Sequence, residues 1–275
     1  MAMRAQLLSR SPAWLLRSVG RRHYLTRVRR HVTSDRAMVK ALVHPGDTVL
    51  DLGAHAGWYT KTLAELVGPT GLVVAVEPVP STFDFLTYNV RKLRLTNVVP
   101  LRMAVSCQPG TGTIVIPTYR EGAAIAHSRS GSENSYEAHL VSPDEPPDRY
   151  RRLTVALTTV DTLAGGSRVT FIKLDVEDHE LMVLYGSAAT IARDHPAFVI
   201  ELLRNPDHHK GSPQAQIVEL LDGHGYRAYW WDGSALRTCR RPPQHPSSDY
   251  YFLQPSHAAT LEAAGLLTAR PEEQP

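Results

Sequence analysis

At 275 residues and 43% hydrophobic, the chain can bury one full domain core with appendages, and no apolar run approaches the ~20 residues that span a bilayer. The net charge of +3 hides a division: residues 1–34 hold eight arginines and no acid, and the remaining 22 basic and 27 acidic residues make a mildly acidic body, which lacks the basic face of a nucleic-acid enzyme. Cys107 and Cys239 lie far apart and do not make a metal-ligand pair, so a reduced, cytoplasmic compartment is expected.

Three regions are expected: a basic arm or accessory helix over 1–34, a main domain over 35–255 and a loose tail over 256–275. In the arm, Ser11-Pro12 reads as an N-cap with proline at the first helical position, and Trp14, Leu15 and Val19 as an apolar stripe. Arg10 and Arg17 interrupt any signal-peptide core. A mitochondrial presequence and a helix lying on anionic lipid share this composition, and the latter would give a weak membrane-surface contact. The preferred reading is an accessory helix packed on the domain or a frayed arm, dispensable for chemistry.

The domain opens with a short helix ending at 39–43 and a turn over 44–47. Strand one covers 48–52, and the helix after Gly57 sets Tyr59, Leu63 and Leu66 on one face. Strand two, 72–77, is followed by a helix with Phe83, Leu86, Val90 and Leu93 at helical spacing. Strand three is expected over 98–105 and a small accessory strand over 113–116. Residues 118–150 are polar and aperiodic, too long for a simple connector, and are expected to cover a ligand site. Strand 153–157, a short helix over 159–163 and strand 169–176 follow. One helix is expected to carry Leu181, Leu184, Ala188 and Ile191, and then come strand 197–203, a helix capped by Ser212-Pro213, and an antiparallel pair over 226–231 and 249–254. Alternating strands and helices argue for an α/β fold with a doubly wound, mostly parallel sheet and an antiparallel edge.

Two stretches carry chemistry. Thr48-Val-Leu-Asp-Leu-Gly-Ala-His-Ala-Gly57 runs from a buried strand into a glycine turn, and the next strand ends in an acid, Glu77. That layout takes a cofactor's charged end at the turn and its ribose hydroxyls at the carboxylate. A dinucleotide wants a tight G-x-G-x-x-G turn. Here Gly53 and Gly57 flank His55, a wider turn that suits the aminoacyl end of S-adenosylmethionine. The missing third glycine counts against the alternative of a nicotinamide-dependent oxidoreductase. The second stretch is Phe171-Ile-Lys-Leu-Asp-Val-Glu-Asp-His-Glu180, where a strand turns into a helix.

Together with Val76-Glu-Pro-Val-Pro80, these motifs resemble the FkbM family of S-adenosylmethionine-dependent methyltransferases over roughly residues 39–253. The resemblance implies the Rossmann-like class I methyltransferase fold, S-adenosyl-L-methionine as cofactor, and O-methylation of a small-molecule hydroxyl on a sugar, glycolipid or polyketide-type metabolite. The family pattern has asparagine where His55 stands and glycine where Asp178 stands. That second departure is the one support for a non-catalytic binding module that keeps the fold.

For methyl transfer the protein mainly positions reactants, and an alcohol acceptor also needs a base. Gly53 and Gly57, with Ala54, let the backbone approach the methionine end, and Asp51 is the candidate to orient its ammonium. His55 and Tyr59 are candidates to contact or cover its carboxylate, Glu77 with Pro78 to hold the ribose, and Met103 and Ala104 to flank the adenine. Asp175, Glu177, His179 and Glu180 form the candidate catalytic cluster. The acids are expected to raise the pKa of His179, the candidate base, with Asp175 as alternative base or substrate-orienting group. Glu177 and Glu180, by their spacing, are expected to share a helical face, and part of the cluster also suits a helix dipole. Asp175, Glu177 and Glu201 are a possible ligand set for Mg, and metal dependence is left open, with no metal assigned. His208 and His209 could reach the same sheet edge or be a solvated pair.

Overall fold

Runs of valine, isoleucine and leucine without charge must be covered on both faces, and they become the centre of the fold. The computed structural model describes residues 13–117, 139–140, 150–202, 211–239 and 248–268. Helices α1 (Ala13–Arg30) and α2 (Arg36–Leu42) precede β1 (Thr48–Leu52), α3 (Trp58–Val67), β2 (Leu72–Val76), α4 (Pro80–Leu93) and β3 (Val98–Leu101). Next come β4 (Ala104–Val105), β5 (Gly110–Pro117), β6 (His139–Leu140), β7 (Tyr150–Thr158) and α5 (Val160–Ala164). The chain continues through β8 (Val169–Leu174), α6 (Glu180–Tyr185), α7 (Ala188–Asp194), β9 (Ala197–Glu201) and α8 (Pro213–Gly223). It closes with β10 (Arg227–Trp231), β11 (Leu236–Thr238), β12 (Asp249–Leu253) and α9 (Pro255–Ala263).

The main sheet has eight strands in the order β11-β10-β12-β9-β8-β1-β2-β3. Its β3-β2-β1-β8-β9 half is parallel and its β12-β10-β11 edge antiparallel. One face packs Leu50, Leu52, Ile172 and Leu174 against α5 to α8; the other packs Val49, Val73 and Phe171 against α2, α3, α4 and α9. After β1 the chain builds toward β3, and β8 then starts on β1's other side. The carboxyl ends of β1 and β8 therefore flank the switch point, where open α/β sheets bind ligands.

Three local expectations change. The apolar run 98–105 is two strands, because the chain leaves the main sheet at Arg102 and Met103 and Ala104–Val105 pairs with β7 in a second sheet, β4-β7-β5-β6. That sheet has its own small core of Val79, Ala104, Ile114, Ile116 and Val155. The helix expected across 181–191 breaks in two at Gly186, where a Cβ would come 2.2 Å from the Ser106 carbonyl oxygen. Instead of a loose tail, α9 begins with a capping box in which the Gln254 N–H donates to His257 Nδ1 at 3.2 Å, and it buries Leu261. Leu267 is buried behind it and bridges Leu236.

The arm packs on the domain. Tyr24 lies 4.5 Å, ring to ring, from Phe85 of α4, and the Arg21 guanidinium sits 5.5 Å over Tyr88. Asp35, buried just beyond the arm, accepts hydrogen bonds from Tyr59 at 2.8 Å and Tyr251 at 3.0 Å, which ties this end of the chain to α3 and β12. No described helix is long and apolar enough to cross a membrane. The Ser11-Pro12 cap, the side chains of Trp14, Leu15 and Val19, most of 118–150, and His208 and His209 lie outside what is described.

Candidate active site

The turn after β1 is held by backbone bonds. The N–H groups of Gly53 and Ala54 both donate to the Val76 carbonyl, at 3.0 and 2.9 Å, and that of Gly57 to Ala54 at 2.8 Å. His55 adopts φ +48, a costly left-handed conformation for a non-glycine residue. Its N–H donates to Glu77 Oε2 at 3.0 Å, and the Val79 N–H donates to Oε1 at 2.9 Å. Glu77 is 5% exposed, and burial pushes its carboxyl up to about 7 against the opposing pull of these two donors. Asp51 is 1% exposed and accepts from Thr60 Oγ1 at 2.5 Å; burial raises it to about 6.

The turn after β8 lies alongside. The Asp175 N–H donates to the Leu52 carbonyl at 3.0 Å, which brings the two turns into contact. Gly53, at φ +82, is required there: a Cβ would stand 1.7 Å from the Asp175 carbonyl oxygen. Glu177 and Asp178 follow with φ +54 and +65. Asp178 thus adopts the left-handed geometry that favours glycine, and aspartate is among the residues that tolerate it best. The buried Lys173 ammonium lies 3.1 Å from Asp249 Oδ1 and 3.4 Å from Asp175 Oδ2. Burial alone would lower its pKa, but Asp175, Asp249 and Glu201 together raise it, so the charge is kept. Burial, and a hydrogen bond to Asp175, push Glu201 up to about 8.

A cavity of about 290 Å³ opens between the turns. Of the sequence candidates, Asp51, Gly53, Ala54, His55, Tyr59, Glu77 and Pro78 line it, as do the apolar Met103 and Ala104, and Asp175, Glu177 and His179. Gly57 is not in the wall; it caps α3 at φ +89. Glu180 is not in it either: it is buried, raised to about 7 by that burial, and its Oε1 accepts from the Val176 N–H at 3.2 Å. The shared helical face of Glu177 and Glu180 does not exist, because the helix begins only at Glu180. The Tyr59 hydroxyl is committed to Asp35.

His179 also departs from expectation. Its pKa is lowered, by burial, and the neighbouring acids do not reverse this. Its Nε2 lies 3.0 Å from the Ser106 hydroxyl, a partner with no motif around it to signal its role. Lys173 was visible as the first residue of the Lys-x-Asp motif but not as a cavity residue, while His31, Trp58, Ile114 and Leu140 reach the wall only through tertiary packing. Against the nicotinamide alternative, the one Tyr-x-x-x-Lys spacing on α4, Tyr88 and Lys92, stands outside the wall. Carboxylate oxygens of Asp175, Glu177 and Glu201 lie within 4.8 Å of one another. Lys173 provides a cation beside them, paired with Asp175 at 3.4 Å and with Asp249 at 3.1 Å.

Residues 51–228 match the family described as the methyltransferase FkbM domain. Stretches of 48 and 55 residues are each 44% identical to protein-L-isoaspartate O-methyltransferases of Methanopyrus kandleri and Aeropyrum pernix, covering 18% and 20% of this chain. The matched stretch spans only 21% of the length of either relative. Among solved structures, the FkbM methyltransferase of Methylobacillus flagellatus KT is 13% identical with a TM-score of 0.47, covering 78% of this chain and 47% of that one. Aeropyrum pernix fibrillarin with natively bound S-adenosyl-L-methionine is 14% identical with a TM-score of 0.43, covering 79% and 73%. With more than half of its length matched by the family, the chain belongs to the FkbM family of S-adenosylmethionine-dependent methyltransferases.

Proposed function

We propose that this protein is an O-methyltransferase that acts on a hydroxyl of a small molecule, a sugar, glycolipid or polyketide-type metabolite, in a reduced, cytoplasmic compartment. The observation that carries this reading is one shared cavity lined by both a buried carboxylate, Glu77, and a histidine whose burial favours the neutral form, His179. A carboxylate has about four acceptor sites. Glu77 fills one on each oxygen with a backbone donor, which fixes its orientation and leaves capacity for a ribose diol. Asp51 and the Gly53 turn then receive the ammonium end, and Met103, Ala104, Val105 and Ile114 offer an apolar wall for the adenine. These residues fit S-adenosylmethionine, which when bound supplies the electrophilic methyl and the thioether leaving group.

The acceptor hydroxyl forms the new C–O bond and must lose its proton. His179, neutral at pH 7 because burial lowers its pKa, is the base. Ser106 accepting from Nε2–H would leave the Nδ1 lone pair for that proton. Asp175, held between Lys173 and Glu201, orients the acceptor. Residues 118–150 cover the acceptor, a role supported by Leu140, which lies within that segment and lines the cavity.

The test is methyl transfer from labelled cofactor to a panel of glycosides, glycolipids and macrocyclic alcohols, with an isoaspartyl peptide as the rival acceptor. A base-stable methyl ether on one of the alcohols is expected. A base-labile methyl ester on the peptide, with every alcohol inert, would replace the hydroxyl reading with carboxyl methylation.

A further inference from the structure

The arm lies before the matched family segment 51–228, yet it reaches the cofactor turn. A ladder of rings runs from α4 through the arm to α3 and back. Phe85 and Tyr24 are 4.5 Å apart, Tyr24 and His55 5.8 Å, His55 and Trp58 6.0 Å, and Trp58 and His31 5.6 Å. The Arg27 guanidinium caps it, 5.1 Å over Trp58, and Lys61 Nζ donates to the His31 carbonyl at 3.4 Å. Gly20 permits the close approach: a Cβ there would meet the Phe85 ring at 3.2 Å. His31 and Trp58 line the cavity itself.

The middle rung is where this chain departs from its family. His55 stands in place of the usual asparagine, and its imidazole meets Tyr24 of the arm while its N–H holds Glu77. We propose that α1 and the residues just after it form a roof on the cofactor end of the cavity, with Tyr24 a positioning residue that acts through His55 on Glu77, and His31 a contact residue for the cofactor's methionine end. The arm is then part of the binding site, in place of the dispensable appendage expected from its composition.

Two physical arguments support a coupled roof. Helices in proteins draw most of their stability from tertiary packing, and the contacts of α1 with Phe85, Tyr88, His55 and Trp58 supply it here. His55 sits at φ +48 and must be held there by its surroundings. Ligand that settles the turn should therefore settle the arm, and the reverse, because coupling between sites is reciprocal.

Calorimetric titration of the full chain with S-adenosylhomocysteine tests this without any acceptor, so its outcome is independent of the hydroxyl reading. Tyr24→Leu keeps an apolar contact with Phe85 but should weaken binding about three- to tenfold, the range of an aromatic pair. In a His55→Asn background, which suits the positive-φ turn and keeps the backbone donor to Glu77, Tyr24→Leu should cost nothing more. An equal loss in both backgrounds, or unchanged affinity in a folded Tyr24→Leu chain, overturns the route through His55. His31→Ala, which leaves Tyr24 and Phe85 in place, should also weaken binding, and unchanged affinity overturns its contact. Trypsin cleavage at Arg27 and Arg29 should slow when the ligand is bound; cleavage indifferent to ligand contradicts the roof.

Discussion

The turns after β1 and β8 leave neighbouring parallel strands at the same end of the sheet, and they solve opposite problems. The first is closed. Its backbone donors are spent on Val76, Ala54 and Glu77, and its one charged partner is a buried carboxylate. The second is open. Asp175, Glu177 and His179 are partly exposed, Asp178 is exposed, and the buried Lys173 below them pairs with Asp175 and Asp249. Both turns accept left-handed residues to do this. A buried ionisable group can thus be held by fixed backbone dipoles, as Glu77 is, or by counter-charges, as Lys173 is. The first solution suits a site that must keep one shape, and the second suits one that must present groups to an incoming substrate.

The comparison breaks most completely where the turns touch. Gly53→Ala puts a Cβ against the Asp175 carbonyl at a positive φ, and the combined overpacking and strain should cost about 2–5 kcal/mol of stability. Denaturant unfolding measures it, and a variant as stable as the parent would refute the close contact. Next in size is the open turn. His179→Ala should slow turnover by about 10²–10⁴ while cofactor affinity stays the same. If the two properties fall together in a folded variant, His179 belongs to the cofactor side instead.

In the closed turn, Glu77→Gln keeps the shape and removes the charge. Loss of charge assistance should weaken S-adenosylmethionine binding by about 1.5–3 kcal/mol, read by titration. The same residue sets a pH dependence. Its folded pKa of about 7 stands above the ordinary 4.5. Between those values the folded chain keeps a proton that the unfolded chain has released, so this contribution to apo-protein stability is full below 4.5 and declines as pH rises toward 7. Glu180, raised likewise, acts in the same sense, while His55 and His257, lowered by burial to about 4, act in the opposite one, so the quantity to read is the difference in melting temperature between the parent and Glu77→Gln, which should shift against the parent as pH rises across this interval. Cofactor affinity should rise over the same interval, since ribose hydroxyls donate best to the ionised carboxylate. A flat affinity profile would detach Glu77 from the ribose. The smallest effect is Asp178→Gly, which relieves a left-handed side chain and should stabilise the open turn by about 0.5–1 kcal/mol. A loss of stability there would mean that the Asp178 carboxylate holds the turn.

Much of the central sheet was legible because buried parallel strands are continuous apolar runs. Thr48–Leu52 matches expectation to the residue, and Leu72–Val76 and Val169–Leu174 fall short only at their ends. The run over 98–105 was misleading for the same reason: apolar character says that a segment is buried, not which sheet buries it. The helix break at Gly186 follows from the Ser106 carbonyl far away in sequence, and the docking of α9 from a groove that only the folded sheet creates. In the site, Glu180 had the right residue type and spacing but turned inward to close its own loop.

The sequence by itself determined the family, the alternation of strands and helices, Glu77 at the end of β2, and the two turns after β1 and β8, because these depend on local pattern and short motifs. Tertiary structure alone decided the sign of the His179 shift, the charge balance around Lys173 and the reach of the arm to His55. Those three depend on how much water remains around a group and which distant residues replace it, and neither quantity is written in the spacing of residues along a chain.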